Sequence, residues 1–472
     1  MLYTLCGKIE KGGTDVIPEK FKEKMKKILG DEYPAFIEAL ETKPAVRGMR
    51  ANLIKTTPEK LTDDGEFKLE ALDYVENGFI LREDRAMGAS AYHHAGMVYM
   101  QDPGAMASAA ALDIQPDWWV ADLCAAPGGK SSQIAERLGN KGFLLSNEYV
   151  PKRAKIIVGN FERLGVRNAI VTSLDTAKLA EMYNRVFDLV IVDAPCSGEG
   201  MFRKSEDALT DWSEENVTAS AKRQSEILEN AKTLVKGGGY LLYSTCTYSL
   251  EENEKNVDNF IARNPDFKLV KVKDALVNRT RPAISAFCKC AENMEHARRF
   301  YPHVSDGEGQ FLALMQRDTN ADVKQRILYK DEAKPLSKQE SAIVSSFFKE
   351  SLLRAPDGRV AKVGENIVLV SHDCPIPKGS VFMSGVLIGE IKGSTLVPHH
   401  QFFSAYGELF KNKIYLTRSD KRVTKYLAGE EIEDTMRVKG WCVLFFEGAA
   451  LGGGKASDGR IKNHYPKGLR TR

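Results

Sequence analysis

The chain has 472 residues, 43% of them hydrophobic and 28% charged, with 67 basic against 64 acidic side chains. That length suggests about three domains with cores of their own, which excludes a disulfide-stapled miniprotein, a disordered chain and a collagen-like repeat. No apolar run approaches the roughly 18 residues of a bilayer span, and the start through Asp15 lacks a signal-peptide pattern, so a cytosolic protein without a membrane partner is expected.

A net charge of +3 neither announces nor excludes nucleic acid, because binding depends on where the charge sits. The eight cysteines include no Cys-x-x-Cys pair. Cys288 and Cys290, with His296 and His303 nearby, match no zinc spacing, so no metal is expected.

In chain order, Pro18 opens an amphipathic helix with Phe21, Met25, Ile28 and Leu29 at helical spacing. Residues 15–87 are expected to form a small leading subdomain. From Trp118 the rhythm becomes strand, turn, helix. Strands are predicted over 120–123, 142–148, 169–172, 187–193, 240–244 and 310–315. Helices are predicted over 130–138, 151–164, 219–235 and 251–264, the third stopping at Gly237-Gly-Gly239. Continuous apolar runs such as Leu189-Val-Ile-Val192 fit strands buried on both faces of a parallel sheet. The expected fold is therefore α/β: a Rossmann-like, doubly wound, mostly parallel core over 88–317, with its site at the strand C-termini. Residues 318–336 read as a linker. Residues 337–472 read as a helix followed by a β-rich region, with strands over 366–370, 381–383 and 442–446.

The loop Cys124-Ala125-Ala126-Pro127-Gly128-Gly129-Lys130 joins the first core strand to its helix. Glycines there allow close ligand approach, and the helix N–H groups face the crevice. The loop nearly matches a phosphate-binding Gly-x4-Gly-Lys-Ser, which keeps a P-loop NTPase as a competing reading. Cys124 stands where the first glycine should be, and Pro127 removes an N–H from the phosphate cradle. Glu148 ends the second strand, where an acid can accept from a ribose diol. Asp175 follows the third strand, placed to meet an adenine edge, and Asp193 ends the fourth. Three acids on successive strand ends beside a glycine loop imply a nucleoside without phosphates to cradle, S-adenosylmethionine. The bland alternative is that each acid caps a following helix.

Asp193-Ala-Pro-Cys196-Ser-Gly198 follows the fourth strand and Ser244-Thr-Cys246-Thr-Tyr248 the fifth. A lone cysteine is usually a buried small hydrophobe. Two of them in polar turns at adjacent strand ends are poorly explained by packing.

These two loops and Asp122-Leu-Cys-Ala-Ala-Pro-Gly-Gly-Lys130 resemble the signature loops of the NOL/NOP/Sun family of RNA cytosine-C5 methyltransferases. Arg50-Ala-Asn52 and Tyr99-Met-Gln-Asp-Pro103 are similar to two further segments of that family, and the similarity covers about residues 18–316. The segment Leu451 to Arg470 resembles the tail of the bacterial 16S rRNA (cytosine-C5)-methyltransferase F group, in which a PUA-like RNA-binding module closes the chain. Nothing in the sequence suggests an obligate dimer, so a monomer is expected, and the resemblance implies an enzyme that binds S-adenosylmethionine at the Gly loop, Glu148, Asp175 and Asp193. It gives the covalent attack on cytosine C6 to Cys246 and the release step to Cys196; Asp193, at the same strand end, is placed to contact the base as well as the cofactor. It also implies RNA binding by the leading subdomain and the C-terminal region, with 16S rRNA or the small ribosomal subunit as partner. Where the family often has Asp-Gly, this chain has Asp175-Thr176.

The last 18 residues hold six Lys/Arg against Asp458, with His464 and Tyr465 among them, and are expected to touch RNA. A chain ending at Gly454 is expected to lose RNA affinity and keep cofactor binding. Arg203-Lys204, Arg298-Arg299 and Arg279-Thr-Arg281 are expected to line the RNA channel. A tRNA substrate and a non-catalytic RNA-binding assembly factor remain open readings, although two intact cysteines argue against the latter.

Overall fold

The computed structural model describes residues 17–319 and 325–471. Five parallel strands form its centre: Trp119–Asp122, Phe143–Asn147, Ala169–Thr172, Phe187–Asp193 and Val235–Thr245. Across the sheet their order is fifth, fourth, first, second, third. The order therefore reverses between the first and fourth strands, and that reversal opens a crevice outside their C-termini. The antiparallel strand Gln310–Arg317 flanks the fifth.

Alternate residues on these strands feed two separate cores, which is why the runs are apolar throughout. Ala121, Leu145, Ile170, Val190 and Val192 pack against the helices Glu214–Ala231 and Glu254–Arg263. Val120, Leu144, Val171, Leu189 and Ile191 pack against Pro103–Ala110, Gly129–Leu138 and Pro151–Leu164. The expected doubly wound α/β core is what the chain forms.

Boundaries shift where local chemistry decides. The helix expected over 219–235 runs from Glu214 to Ala231, because Ser213 caps it by accepting from the Asn216 amide at 3.0 Å. Gly237 to Gly239 lie inside the next strand, at a register shift, and do not end the helix. Gly238 takes φ +74° there, which a side chain would strain.

Before the core, helices Glu19–Leu29 and Tyr33–Thr42 precede a four-stranded sheet of Leu69–Ala71, Gly78–Leu81, Gly48–Ala51 and Val98–Met100. Its last strand lies beyond residue 87. After the core, residues 318–336 contribute a strand, Arg326–Ile327, that pairs with Tyr183–Asn184. Val381–Ser384, expected with the C-terminal strands, instead adds antiparallel to Ala169–Thr172 at the edge of the central sheet. The C-terminal region also holds a four-stranded sheet and a five-stranded sheet containing Gly440–Phe446, Ala449–Ser457 and Arg460–Asn463. Tyr465 is buried. Ending the chain at Gly454 would cut a strand in half and delete its neighbour, so the basic tail is not the removable appendage expected from sequence. Among the described residues no helix is long and apolar enough to cross a membrane.

The leading and C-terminal units meet over a shared core that includes Met49, Phe79, Tyr92, Leu444, Phe446 and Tyr465. Titratable nitrogens crowd the rim of this junction. Lys55 is surrounded by neutral acceptors, donating to Ser404 O at 2.8 Å and Ala450 O at 2.9 Å. His94 Nδ1 meets the Tyr465 hydroxyl at 2.7 Å, and the His400 ring stands edge-on to the same tyrosine. Burial, reinforced by neighbouring cations, lowers Lys55 to about 7, His94 to about 4 and His400 to about 3. An unfolded chain binds protons at these histidines below the usual 6.5, where the folded one refuses them, so stability falls as pH drops from about 6.5 toward 4. Melting curves between pH 7 and 4.5 should fall, and a His94→Gln/His400→Gln variant should flatten the fall. An unchanged slope in that variant would exclude the junction as its source.

Candidate active site

The first and fourth parallel strands end in Asp122 and Asp193, on either side of the order reversal. Asp122 is fully buried and accepts from Ser131 Oγ at 2.7 Å, while its Oδ1 has no hydrogen-bond partner among the described residues. Burial, with Asp193 nearby, pushes its carboxyl up to about 7. The Gly loop turns between strand and helix through Gly128 at φ +106°, a conformation that requires glycine. Ala125 N donates to Asn147 O at 2.8 Å. Arg153 and Asn160, on the next helix, hold the carbonyls of Ala126 and Pro127 at 3.2 and 2.8 Å.

Lys130 turns across the crevice, its Nζ 2.5 Å from Asp193 Oδ1, which also accepts from Ser244 Oγ at 2.8 Å. A lysine committed to an internal carboxylate is not free to hold terminal phosphates. Glu148 is buried at the end of the second strand. Its Oε1 accepts from Val150 N at 3.0 Å, and its Oε2 lies 3.5 Å from Arg153. Asp175 is exposed and caps the helix Thr176–Met182, accepting from Ala177 N at 2.8 Å. The thiol of Cys124 is pushed up by burial and by the surrounding acids.

The Pro-Cys and Thr-Cys loops converge, bringing the Sγ atoms of Cys196 and Cys246 to 3.1 Å. The hydrogen bond to Cys246, and then burial, push the Cys196 thiol well above its ordinary value, so Cys196 is held protonated. Two buried glutamates clamp the loops to each other. Glu252 accepts from Ser197 N at 3.0 Å, from Gln224 at 2.7 Å and from the Ser197 hydroxyl. Glu199, in the first loop, accepts from Thr247 Oγ1 at 2.8 Å and Tyr248 N at 2.9 Å in the second. The Ser197 and Thr247 hydroxyls meet at 2.9 Å. Sequence reasoning missed both glutamates. The only signal was their closeness to the two cysteine loops, and acids at such positions usually read as solvated charge.

Tyr248 extends this support to the leading helices. Its ring packs against Phe36 at 5.1 Å and Tyr301 at 5.6 Å. Gly309 lies so close to that ring that no Cβ fits.

The arginines expected in an RNA channel are mostly engaged elsewhere. Arg203 is held by Glu308 at 2.8 Å with its side chain 5% exposed. Arg299 is buried in an ion pair with Glu254, and Arg298 donates to Thr280. Lys204 pairs with Asp102, Arg279 with Asp73 and Arg281 with Glu32. Their partners lie tens to hundreds of residues away, so the linear pattern showed the cations without their counter-charges. Four side chains of the C-terminal sheet do gather on one face: Trp441, with Lys455 Nζ 5.5 Å above its ring and His464 edge-on at 4.8 Å, and Lys462 paired with Lys455 across strands.

Comparison with known proteins covers up to 96% of the chain. Residues 109–316 match the family described as 16S rRNA methyltransferase RsmB/F. Residues 17–103 match the N-terminal domain of 16S rRNA methyltransferase RsmF, and 412–471 the methyltransferase RsmF PUA domain. A ribosomal RNA small subunit methyltransferase F of Vibrio campbellii is 31% identical, over 96% of this chain and 97% of its own. That of Aeromonas hydrophila is 30% identical, over 90% and 91%. Among solved structures, a methyltransferase homolog from Pyrococcus horikoshii superposes with a TM-score of 0.55 at 29% identity, over 64% of this chain and 95% of its own.

Proposed function

We propose that this chain, which belongs to the ribosomal RNA small subunit methyltransferase F family, transfers a methyl group from S-adenosylmethionine to C5 of a cytosine in 16S rRNA. The observation that carries this reading is the pair of sulfurs 3.1 Å apart beside an acid-lined crevice.

The residues present suit the cofactor. Glu148 keeps carboxylate lone pairs for a ribose diol, the Gly loop leaves room for close approach, and the orphaned Oδ1 of Asp122 offers an acceptor at the strand end. Asp175 would meet the adenine edge while capping its helix. The Lys130–Asp193 pair argues against ATP, since it neutralises the one cation of the loop. When bound, the cofactor supplies an electrophilic sulfonium methyl.

Cytosine C5 is a poor nucleophile. Attack of the Cys246 sulfur on C6 turns the ring into an enamine and makes C5 reactive. After C5 is methylated, its proton must leave so that the Sγ–C6 bond can break and the thiolate depart. Cys196, in contact with the Cys246 sulfur, serves that release step as a relay: its thiol proton passes to the departing Cys246 thiolate while its own sulfur takes the proton leaving C5. Asp193, held by Lys130 and Ser244, accepts from the exocyclic amine of the base. The target nucleotide must leave any stack to reach a crevice this deep, and the face carrying Trp441, Lys455, Lys462 and His464 offers the cations and aromatic surface that RNA binding uses. The enzyme works as a monomer in the cytoplasm, with RNA contacts shared between residues 15–87 and 337–472.

The test offers labelled S-adenosylmethionine with assembled small subunits, naked 16S rRNA and tRNA, followed by bisulfite mapping. Label at C5 of a 16S rRNA cytosine is the expected result. Label confined to tRNA, or heat of binding for ATP but not for S-adenosylmethionine, would overturn it.

A further inference from the structure

A cleft of about 830 Å³ opens at the edge of the central sheet opposite the cysteines. One wall comes from Lys141 and Arg167, which precede the strands Phe143–Asn147 and Ala169–Thr172. The other comes from the C-terminal region, including Arg354, Arg359, Ser371 and Tyr406. This volume falls in the range of small-ligand sites, and the cleft shares none of these residues with the catalytic crevice.

Arg167 is the unusual member. Its backbone is fixed on both sides, the amide donating to Asn140 Oδ1 at 2.9 Å and the carbonyl accepting from Ser371 Oγ at 3.1 Å. Its guanidinium lies 4.3 Å from the ring centre of buried Tyr406. Among the described residues the buried Nε has no hydrogen-bond partner, and no carboxylate forms an ion pair with the guanidinium. The acids of the cleft are mostly committed: Asp331 to Arg359 at 2.7 Å, Asp357 to Arg354 at 3.1 Å, and Glu408 to Lys413 at 2.9 Å. Asp373 is exposed and unlinked to Arg167. Burial lowers the Arg167 pKa, and Arg354 adds to that.

A guanidinium whose Nε is buried and that meets no anion is costly, and the tyrosine face offsets only part of that cost. The fork of an arginine matches the oxygens of a phosphate in a way a lysine cannot. The geometry points to a phosphate-binding site in this cleft, with Arg167 as its anchor and Lys141 at its rim. The phosphate belongs either to a free nucleotide or to the backbone of an RNA strand, and the site takes no part in methyl transfer.

Calorimetry on the full chain tests it with inorganic phosphate, uridine 5′-monophosphate and a short oligouridylate, which offers no cytosine to the active site. Arg167→Gln should weaken phosphate binding about 10-fold or more, the usual scale of a charge-assisted contact. Lys141→Glu, on an exposed side chain that does not support the fold, should weaken it in the same direction. Both variants should keep wild-type affinity for S-adenosylmethionine. Tighter binding of the mononucleotide identifies a nucleotide site, and tighter binding of the oligouridylate identifies an RNA contact. Equal phosphate binding by the wild type and both variants, or none by the wild type, would overturn the assignment.

Discussion

Cys196→Ala is expected to arrest as a covalent protein–RNA adduct, seen as a denaturation-resistant band, while Cys246→Ala forms no adduct and loses methyl transfer by roughly 10⁴–10⁶-fold. The asymmetry follows from the two roles. The sulfur that bonds to C6 comes from the Thr-Cys loop, and without it C5 never becomes reactive. Cys196 acts after methylation, so its removal leaves the bond to Cys246 formed and unbroken. The clamp around the pair keeps the variants interpretable. Ser197, Thr247, Glu199 and Glu252 hold the loops together without using either sulfur, so trimming one thiol leaves the other in place. S-adenosylmethionine affinity should be unchanged in both variants. An adduct accumulating in Cys246→Ala, with normal turnover in Cys196→Ala, would reverse the assignment.

How much of this was legible depended on whether the determining contacts were local. The strand Phe187–Asp193 and the helix Pro151–Leu164 were readable to the residue. The first is an unbroken apolar run buried on both faces, and the second opens on a proline and stops at a glycine with φ +78°. The Gly loop and both cysteine loops were legible for the same reason, since their chemistry sits in short contiguous motifs. Val381–Ser384 was misplaced because its hydrogen-bonding partner lies some two hundred residues earlier, and an edge strand carries no mark of the sheet it will join. Arg203 and Arg299 read as RNA-facing because their glutamates become neighbours only after folding. Glu199 and Glu252 stayed hidden because a clamp between two loops has no sequence spacing. Tyr465 looked like an exposed tail aromatic, yet it closes the core shared by the leading and C-terminal units.

The segment Arg50-Ala-Asn52 makes the second large effect. Arg50 is fully buried and donates to Glu136 at 2.9 and 3.0 Å, to Ser132 Oγ at 2.7 Å and to the Gly129 carbonyl at 3.1 Å. It thereby ties the leading sheet to the helix whose first turn is the Gly loop. Arg50→Met should leave the Glu136 charge in the core with only Asn77, at 2.8 Å, to satisfy it. Such a broken buried pair costs about 3–5 kcal/mol, which for a cooperative unit the size of the 88–317 core corresponds to a fall in Tm of roughly 6–20 °C. S-adenosylmethionine binding should weaken as well, because the loop loses its anchor at Gly129. Pairing Arg50→Met with Glu136→Leu should restore most of the stability and little of the cofactor affinity. The pH response separates charge from packing. Burial already raises the Glu136 carboxyl while Arg50 opposes it, so removing Arg50 raises it further. In the single variant the folded state then holds a proton that the unfolded chain releases above the ordinary carboxylate range, so stability falls as pH rises through that window. The Tm lost to Arg50→Met should therefore shrink on acidification toward pH 5, and a loss independent of pH would mean the guanidinium acts through its volume alone.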